Sequence, residues 1–308
     1  MSLISKPSEL LNKNAQNTVL AGLIYGEPGV GKTTMALSAP NPLLIDFDNG
    51  LKRVNVQYQK DSVQIKSYKD LIDVLQSTDL ENYDTIVIDT LGKLIDKMGD
   101  YLSINNPKIK QSDGTLGMKG WGSVKIEFQR LLRSLTDKNK SVIFVAHAKE
   151  DKEGETTKKR PDVPGSSGKD VIKELDFMGY MSIIGGKRTI DLMPNECFHA
   201  KNSIGIDGFL EFSKLNGVND FLTTQIFEKY SSTKAEEMSL RLKYDILIEI
   251  IDNAIDSLNT IEDVNDYYKN KYQQLEKVYS SYEYERAKML KRTEKLGFKF
   301  NKESKVFE

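Results

Sequence analysis

The chain has 308 residues, of which 44 are basic and 45 are acidic, so its net charge is close to zero. This balance excludes a uniformly basic surface for nucleic acid, and any such contact must come from local basic loops. A single cysteine excludes an internal disulfide, and with only two histidines a structural zinc site is not expected. No apolar run approaches the roughly 20 residues that span a bilayer and no signal-peptide pattern opens the sequence, so we expect a cytoplasmic protein without a membrane contact.

The first strong motif follows a polar segment, residues 1–17, that is predicted to form an N-terminal arm, and an apolar run at residues 19–25. Residues 26–33, GEPGVGKT, satisfy G-x-x-x-x-G-K-[ST], the pattern of a phosphate-binding loop. The glycines let backbone N–H groups turn inward around a polyphosphate, Lys32 bridges the β and γ phosphates, and the Thr33 hydroxyl is a ligand for Mg²⁺. The predicted nucleotide-binding residues are Gly26, Glu27, Pro28, Gly29, Val30, Gly31, Lys32, Thr33 and Thr34.

Beyond the loop, short β-type runs alternate with helical patterns. The β-type runs lie at residues 19–25, 43–47, 63–66, 85–89 and 141–147, and the helical patterns lie at 68–76, 92–102 and 124–135. This alternation predicts an α/β fold of βαβ units, with a mainly parallel sheet flanked by helices. Residues 177–184 and 187–193 predict an antiparallel hairpin that extends the sheet, because Gly185 and Gly186 between them supply the positive φ that such turns need.

The last part of the chain, residues 223–308, has the composition of charged helices. Apolar side chains recur at helical spacing in a first stripe at Leu240, Tyr244, Leu247, Ile251, Ile255 and Leu258. A second stripe comprises Ile261, Val264, Tyr268, Leu275, Val278 and Tyr282. The two stripes predict an antiparallel helical hairpin. We therefore expect an arm at residues 1–17, an ATPase-like core at 18–222 and a helical C-terminal region at 223–308.

Acidic residues at two strand ends are candidates for the metal and the reaction. The apolar run 85–89 ends in Asp89, which downstream of a phosphate loop is predicted to hold Mg²⁺ through water; capping of the next helix is the alternative. Asp46 and Asp48 share one face at the end of the run 43–47. We predict that Asp48 polarises the attacking water, and Asp46 is the alternative base. The alternative without catalysis is that Asp48 only forms a turn.

His147 ends another core strand, residues 141–147. Its polar side chain is predicted to touch the γ-phosphate and to act as a sensor at the start of a loop. A capped or solvent-facing histidine is the alternative.

Four segments, residues 26–33, 44–50, 84–90 and 142–149, resemble the ATPase core of RecA-type proteins in order and spacing. Within that superfamily the chain most resembles small phage-encoded RecA-like ATPases associated with single-strand annealing and recombination. The resemblance covers about residues 18–192, and it implies ATP and Mg²⁺ as cofactors and the bacterial host cytoplasm as the location. It places Asp48 where RecA proteins carry a catalytic glutamate, and His147 where they carry a sensing glutamine. The shorter Asp48 side chain fits a slow ATPase.

The resemblance also implies two loops that bind single-stranded DNA, at residues 103–122 and 149–169. The predicted DNA-binding residues are Lys108, Lys110, Lys119, Trp121, Lys158, Lys159, Arg160 and Lys169. Lysines on the phosphate backbone and occasional stacking give sequence-tolerant binding. The alternative is that these charges are merely solvated and that Trp121 anchors its helix in the core.

In RecA-type assemblies ATP lies between subunits, and the neighbouring subunit supplies a cation to the γ-phosphate. The resemblance therefore implies self-association, with Lys201 as the candidate trans-acting residue and Arg188 as the runner-up. The predicted catalytic residues are Lys32, Asp48, His147 and Lys201. A single-stranded-DNA-binding protein is a further candidate partner.

The expected function is ATP hydrolysis coupled to single-stranded DNA in phage recombination, annealing or replication. Two alternatives share the phosphate loop: a nucleotide-switched scaffold or loader without direct DNA binding, and a small-molecule kinase. A GTPase is disfavoured because the guanine-reading N-K-x-D pattern is not found after the fourth core strand.

Overall fold

The structure is a computed structural model that describes residues 19–153, 156–165, 172–212, 217–270 and 278–308. The predicted arm at residues 1–17, Lys169 and Leu275 lie outside these ranges. The chain divides into two compact units, residues 17–231 with the sheet and residues 232–308 with helices, and each is described by itself.

A ten-stranded sheet organises the first unit. Its strands are β1 (Ala21–Gly26), β2 (Pro42–Asp46), β3 (Ser62–Gln64), β4 (Thr85–Asp89), β5 (Ser141–Glu153), β6 (Thr156–Pro161), β7 (Phe177–Ile184), β8 (Lys187–Asp191), β9 (Lys201–Asn202) and β10 (Phe209–Phe212). The order is β10-β8-β7-β1-β5-β4-β2-β3, with β6 paired to β5 and β9 paired to β7. The pairs from β7 through β1, β5, β4 and β2 to β3 are parallel. The predicted α/β fold with a largely parallel sheet is confirmed.

Helices cover both faces of this sheet. They are α1 (Lys32–Ala36), α2 (Tyr68–Gln76), α3 (Leu91–Asn105) and α4 (Met118–Asp137). Along β1, Leu23 and Tyr25 pack in one buried cluster and Ile24 packs in a second, as alternating side chains of a strand require. The first cluster takes side chains from α2, α3 and α4, and the second takes them from α1. Two apolar layers thus hold the sheet between helices.

The predicted glycine hairpin is present, with Gly185 and Gly186 at φ 58° and 79° between β7 and β8. The predicted loop at residues 149–169 is wrong for most of its length, because β5 continues to Glu153 and pairs with β6. Acids on β5 lie opposite bases on β6, so cross-strand ion pairs stabilise strands that carry no apolar alternation.

The second unit contains most of α5 (Glu228–Asp256), then α6 (Ile261–Asn270) and α7 (Ser281–Leu296), with a small hairpin of β11 (Phe300–Asn301) and β12 (Val306–Phe307). The predicted first stripe is buried from Leu247 to Leu258, whereas Leu240 is exposed. The predicted single second helix is wrong, because Tyr279 has φ 49° and Ser281 begins a new helix. Among the described helices, none is sufficiently long and apolar to cross a bilayer.

A tight contact between β1 and β7 yields a test of this core. Gly22 is aligned with Phe177, and a Cβ added at Gly22 would lie 2.2 Å from the buried Phe177 ring. We expect Gly22→Ala to lower the free energy of unfolding by about 1–3 kcal/mol, the usual effect of overpacking. Urea denaturation followed by circular dichroism measures this.

The control for that substitution is Gly122→Ala on α4, where no atom lies within 4 Å of the added Cβ. It should be neutral or stabilise the helix by up to about 1 kcal/mol. Equal unfolding midpoints for both variants would contradict the packing described here.

Candidate nucleotide-binding site

The parallel register brings the carboxyl ends of four strands to one edge of the sheet. Gly26 at the end of β1 is aligned with His147 on β5. Asp89 at the end of β4 is aligned with Val145 on one side and with Asp46 on the other. Because β5 separates β1 from β4, the phosphate loop and the acid of β4 face each other across one strand.

The loop after β1 has the backbone that a polyphosphate requires. Gly29 and Gly31 adopt φ 83° and 98°, the left-handed conformation that favours glycine and lets successive N–H groups turn toward one point. Lys32 is 7% exposed, and its Nζ donates hydrogen bonds of 3.0 and 2.9 Å to the carbonyls of Gly26 and Glu27. Burial lowers the pKa of Lys32, and the nearby Asp89 and Glu27 oppose that shift. An ammonium buried in this way fits an anionic ligand.

Thr33 and Asp89 form the metal end of the site. The Thr33 Oγ1 donates a 2.6 Å hydrogen bond to Asp89 Oδ2. Burial raises the pKa of Asp89, repulsion from Asp46 and Asp48 adds to the shift, and the Thr33 hydrogen bond and Lys32 oppose it. No cluster of three or more His, Cys, Asp or Glu side chains suited to a metal occurs in the described part of the chain. A hydroxyl and one carboxylate, completed by phosphate oxygens and water, are ligands that suit Mg²⁺.

A cavity of about 580 Å³ joins these elements. Its lining residues are Pro28, Gly29, Gly31, Lys32, Thr33, Thr34, Asp48, Gly50, Arg53, Val54, Asp89, Val145 and His147. The volume and the mixture of backbone donors, cations and carboxylates fit a nucleoside triphosphate with its metal.

The comparison with known families agrees with this geometry. The model of the AAA domain family matches residues 19–204, which is more than half of the chain. The chain belongs to the AAA domain family. A curated relative of this AAA domain is the SPbeta prophage-derived uncharacterized protein YorG of Bacillus subtilis (strain 168), which is 27% identical over 166 residues. The match covers 51% of the chain and 50% of YorG, so the chain spans about half the length of that relative.

Within the AAA domain, Asp46 and Asp48 have different environments. Asp46 is 3% exposed and accepts hydrogen bonds from the backbone N–H groups of Asp48, Gly50 and Leu51, at 2.9–3.0 Å. Asp48 lines the cavity, and the following Asn49 makes the turn with φ 53°. Asp46 therefore stabilises the turn, and Asp48 faces the cavity.

His147 is exposed and lines the same cavity beside the phosphate-loop strand. Gly50, Arg53, Val54 and Val145 also line it, although none of them was singled out from the sequence. For Arg53, the available signal was a basic residue shortly after the end of a core strand. The motifs alone did not distinguish it from its exposed neighbour Lys52.

The β5–β6 hairpin contacts the phosphate loop of the AAA domain. Lys159 Nζ donates to Glu27 Oε1 at 2.8 Å and to Glu150 Oε1 at 3.0 Å, and these carboxylates hold the pKa of Lys159 above its usual range. The Tyr25 hydroxyl lies 3.1 Å from the Lys159 carbonyl and 2.5 Å from the His199 carbonyl. The hairpin is thus attached to the loop by the Lys159–Glu27 ion pair and to β1 by the hydrogen bond from the Tyr25 hydroxyl.

The remaining predicted DNA-binding residues fall into two groups. Lys108, Lys110 and Lys119 are exposed near the turn that joins α3 to α4. Trp121 is half-buried against the core, and a Cβ added at Gly165 would lie 2.4 Å from its ring. Trp121 therefore anchors its helix, as the structural alternative stated.

On β6, the described side chains are partly compensated by acids. Arg160 Nε lies 2.8 Å from Asp151 Oδ2, and Lys158 is aligned with Asp151 across the hairpin. Lys159 is shared between Glu27 and Glu150. Contact of this strand with DNA stays a prediction, and DNA phosphates would compete with these carboxylates for the cations.

The two candidate trans-acting cations make contacts within their own chain. Lys201 Nζ donates to the Lys173 carbonyl at 2.8 Å and also to the Leu175 carbonyl. Arg188 Nε donates to the Val30 carbonyl at 3.0 Å and so contacts the phosphate loop of the same AAA domain. Action of Lys201 on a neighbouring subunit stays a prediction.

The buried ammonium is the first target for substitution. We expect Lys32→Ala to weaken ATP binding at least about 100-fold, because it removes the one side-chain cation set within the loop. Isothermal titration calorimetry measures the affinity, and Lys60→Ala, an exposed lysine away from this cavity, is the control. An ATP affinity equal to that of the parent would contradict the assignment of the loop.

Substitutions at Asp46 and Asp48 distinguish a structural role from a catalytic one. Asp46→Asn places an amide N–H₂ among backbone donors and should destabilise the protein by about 1–3 kcal/mol. Asp48→Asn should leave the unfolding midpoint and ATP binding unchanged and reduce turnover roughly 100-fold, as expected for loss of a general base. Thermal melting and steady-state ATPase assays distinguish them, and an Asp46→Asn protein of normal stability but lost turnover would make Asp46 the base.

Proposed function

We propose that this AAA domain is a slow, Mg²⁺-dependent ATPase of the RecA type that acts on single-stranded DNA in phage recombination, annealing or replication. The observation that carries the nucleotide part is the meeting of buried Lys32 and the Thr33–Asp89 hydrogen bond at one cavity. The family match supports a P-loop ATPase. The RecA type, the metal and the DNA are parts of the proposal.

In the proposed mechanism, the inward N–H groups of the loop and the Lys32 ammonium bind and orient the phosphates. Thr33 and, through water, Asp89 would hold Mg²⁺, which would neutralise charge on the phosphates. Asp48, which lines the same cavity, orients the attacking water and accepts its proton. His147 completes the wall beside Gly26, where it senses the terminal phosphate.

Support for single-stranded DNA comes from three sources. The sequence resembles phage RecA-like ATPases, and the printed name of YorG attributes that relative to a prophage. Lys108, Lys110 and Lys119 form an exposed basic set on the sheet-bearing unit. Exposed lysines bind the phosphate backbone without reading sequence. We place this activity in the cytoplasm of a bacterial host, with self-association and a single-stranded-DNA-binding protein as the proposed partners.

A nucleotide-switched scaffold or loader is the second candidate, and one observation favours it. The cations Lys159 and Arg160 are already paired with acids, and Lys159 connects the hairpin to Glu27 of the phosphate loop. A change at the loop would then move the hairpin and a partner protein on it rather than DNA. This candidate predicts ATP turnover that single-stranded DNA does not change.

ATPase activity with and without single-stranded DNA decides between the two functions. We expect stimulation by the DNA, and we expect Lys108→Ala combined with Lys110→Ala to reduce the slope of log affinity against log salt by about 1.4, because each lost phosphate contact removes about 0.7. Fluorescence anisotropy with a labelled oligonucleotide measures the slope.

The matched control is Lys60→Ala combined with Lys138→Ala, two exposed lysines next to the amino ends of strands at the opposite edge of the sheet. This control should keep the parental slope. ATP turnover that is indifferent to DNA, together with equal slopes for both double variants, would favour the scaffold.

A further inference from the structure

We propose that Arg53 supplies the second cation of the ATP site from within the same chain and contacts the terminal phosphate. This inference rests on the proposed ATPase function and adds a residue to it. It places the second cation of the site in the same subunit as Lys32.

The segment that carries Arg53 is fixed to the sheet edge. Arg53 ends a short 3₁₀ helix, Leu51–Arg53, which follows β2 and the turn at Asp48. The Asp46 carboxylate binds the N–H groups of Gly50 and Leu51, and Arg53 N donates to the Gly50 carbonyl at 2.9 Å. A buried acid of the central sheet thus fixes the backbone from which the Arg53 side chain extends.

The guanidinium lies at the metal end of the cavity. Arg53 Nη2 and Asp89 Oδ2 are each 3.5 Å from the point where a Cβ of Gly50 would stand, so the two atoms are at most about 7 Å apart. The same Asp89 oxygen accepts the hydrogen bond from Thr33 Oγ1. The terminal phosphate of a bound triphosphate would lie at this metal end, because Thr33 and Asp89 would hold there the Mg²⁺ that neutralises its charge.

Gly50 keeps this space open. Its φ of −77° is accessible to any residue, so the backbone does not require a glycine here. A Cβ at this position would lie 3.5 Å from both Arg53 Nη2 and Asp89 Oδ2, so both atoms border the space beside Gly50. A phosphate oxygen that enters this space would lie near both the guanidinium and Asp89.

The charge balance calls for such a cation. Asp46, Asp48 and Asp89 surround this end, and Lys32 is the cation of the phosphate loop. Arg53 is exposed, and no described carboxylate forms an ion pair with it. A planar guanidinium with free donors is well suited to bidentate contact with phosphate.

The other two candidate cations already donate hydrogen bonds to backbone carbonyls of their own chain, Arg188 to one in the phosphate loop. The Lys201 ammonium caps the carbonyls of Lys173 and Leu175, and Arg188 holds the Val30 carbonyl. Arg53, by contrast, lines the cavity itself.

Nucleotide binding tests the assignment directly. Calorimetry with Mg²⁺ compares ADP with a non-hydrolysable ATP analogue for the parent, Arg53→Ala, Arg53→Lys and the control Lys52→Ala, an exposed neighbour on the same 3₁₀ helix. We expect Arg53→Ala to lose about 10- to 100-fold in affinity for the analogue and less than twofold for ADP. Arg53→Lys should recover part of this loss, and Lys52→Ala should match the parent.

Other outcomes overturn the inference. Equal losses for ADP and the analogue would place Arg53 away from the terminal phosphate, and parental affinity for both would remove it from the site. In either case the parent and the Lys52→Ala protein still bind nucleotide, so the proposed ATPase function survives. If the parent binds neither nucleotide, the proposed function fails and the inference fails with it.

Mixing variants tests whether Arg53 acts within its own chain. Arg53→Ala protein retains the phosphate loop, and Lys32→Ala protein retains the arginine. We expect no ATP turnover above the sum of the two proteins measured separately. Recovery of tenfold or more would show that Arg53 acts across subunits and would contradict the proposal.

Discussion

The in-register pairing of β1, β5, β4 and β2 is the constraint on which the site depends. It aligns Gly26 with His147 and Asp89 with Asp46, so that the chemistry of four distant segments meets at one sheet edge. Both faces of these strands are buried, and a slip of one residue would exchange the side chains of the two apolar clusters. The packing that stabilises the sheet therefore also fixes the geometry of the site.

From this edge the site is assembled by short-range hydrogen bonds to buried charges. Lys32 donates a hydrogen bond to the Gly26 carbonyl at the start of the phosphate loop, and Asp89 accepts one from Thr33. Asp46 accepts hydrogen bonds from the turn that contains Asp48 and precedes Arg53. Buried charges are costly unless they are paired and hydrogen-bonded, and each of these three has such partners. The acids and the ammonium thus lie within one preorganised cluster.

The predictions from the sequence were most accurate for elements whose bounds depend on residues adjacent in the chain. The strand Thr85–Asp89 and the helix Tyr68–Gln76 have their predicted bounds, because one is a continuous apolar run and the other begins with a Ser67–Asp70 capping box. The β5–β6 hairpin was missed because its stabilising ion pairs join residues on different strands. Arg53 was missed for a related reason, since only the folded turn after β2 shows that it faces the cavity rather than solvent alone.

A structure determined with Mg²⁺ and a non-hydrolysable ATP analogue tests the central claim most directly, because it locates the nucleotide without relying on turnover. The account predicts phosphates within the turn formed by Gly29 and Gly31, Lys32 Nζ within hydrogen-bond distance of the terminal phosphate, and the metal about 2.1 Å from Thr33 Oγ1. A nucleotide bound outside this cavity, or a metal away from Thr33 and Asp89, would contradict it.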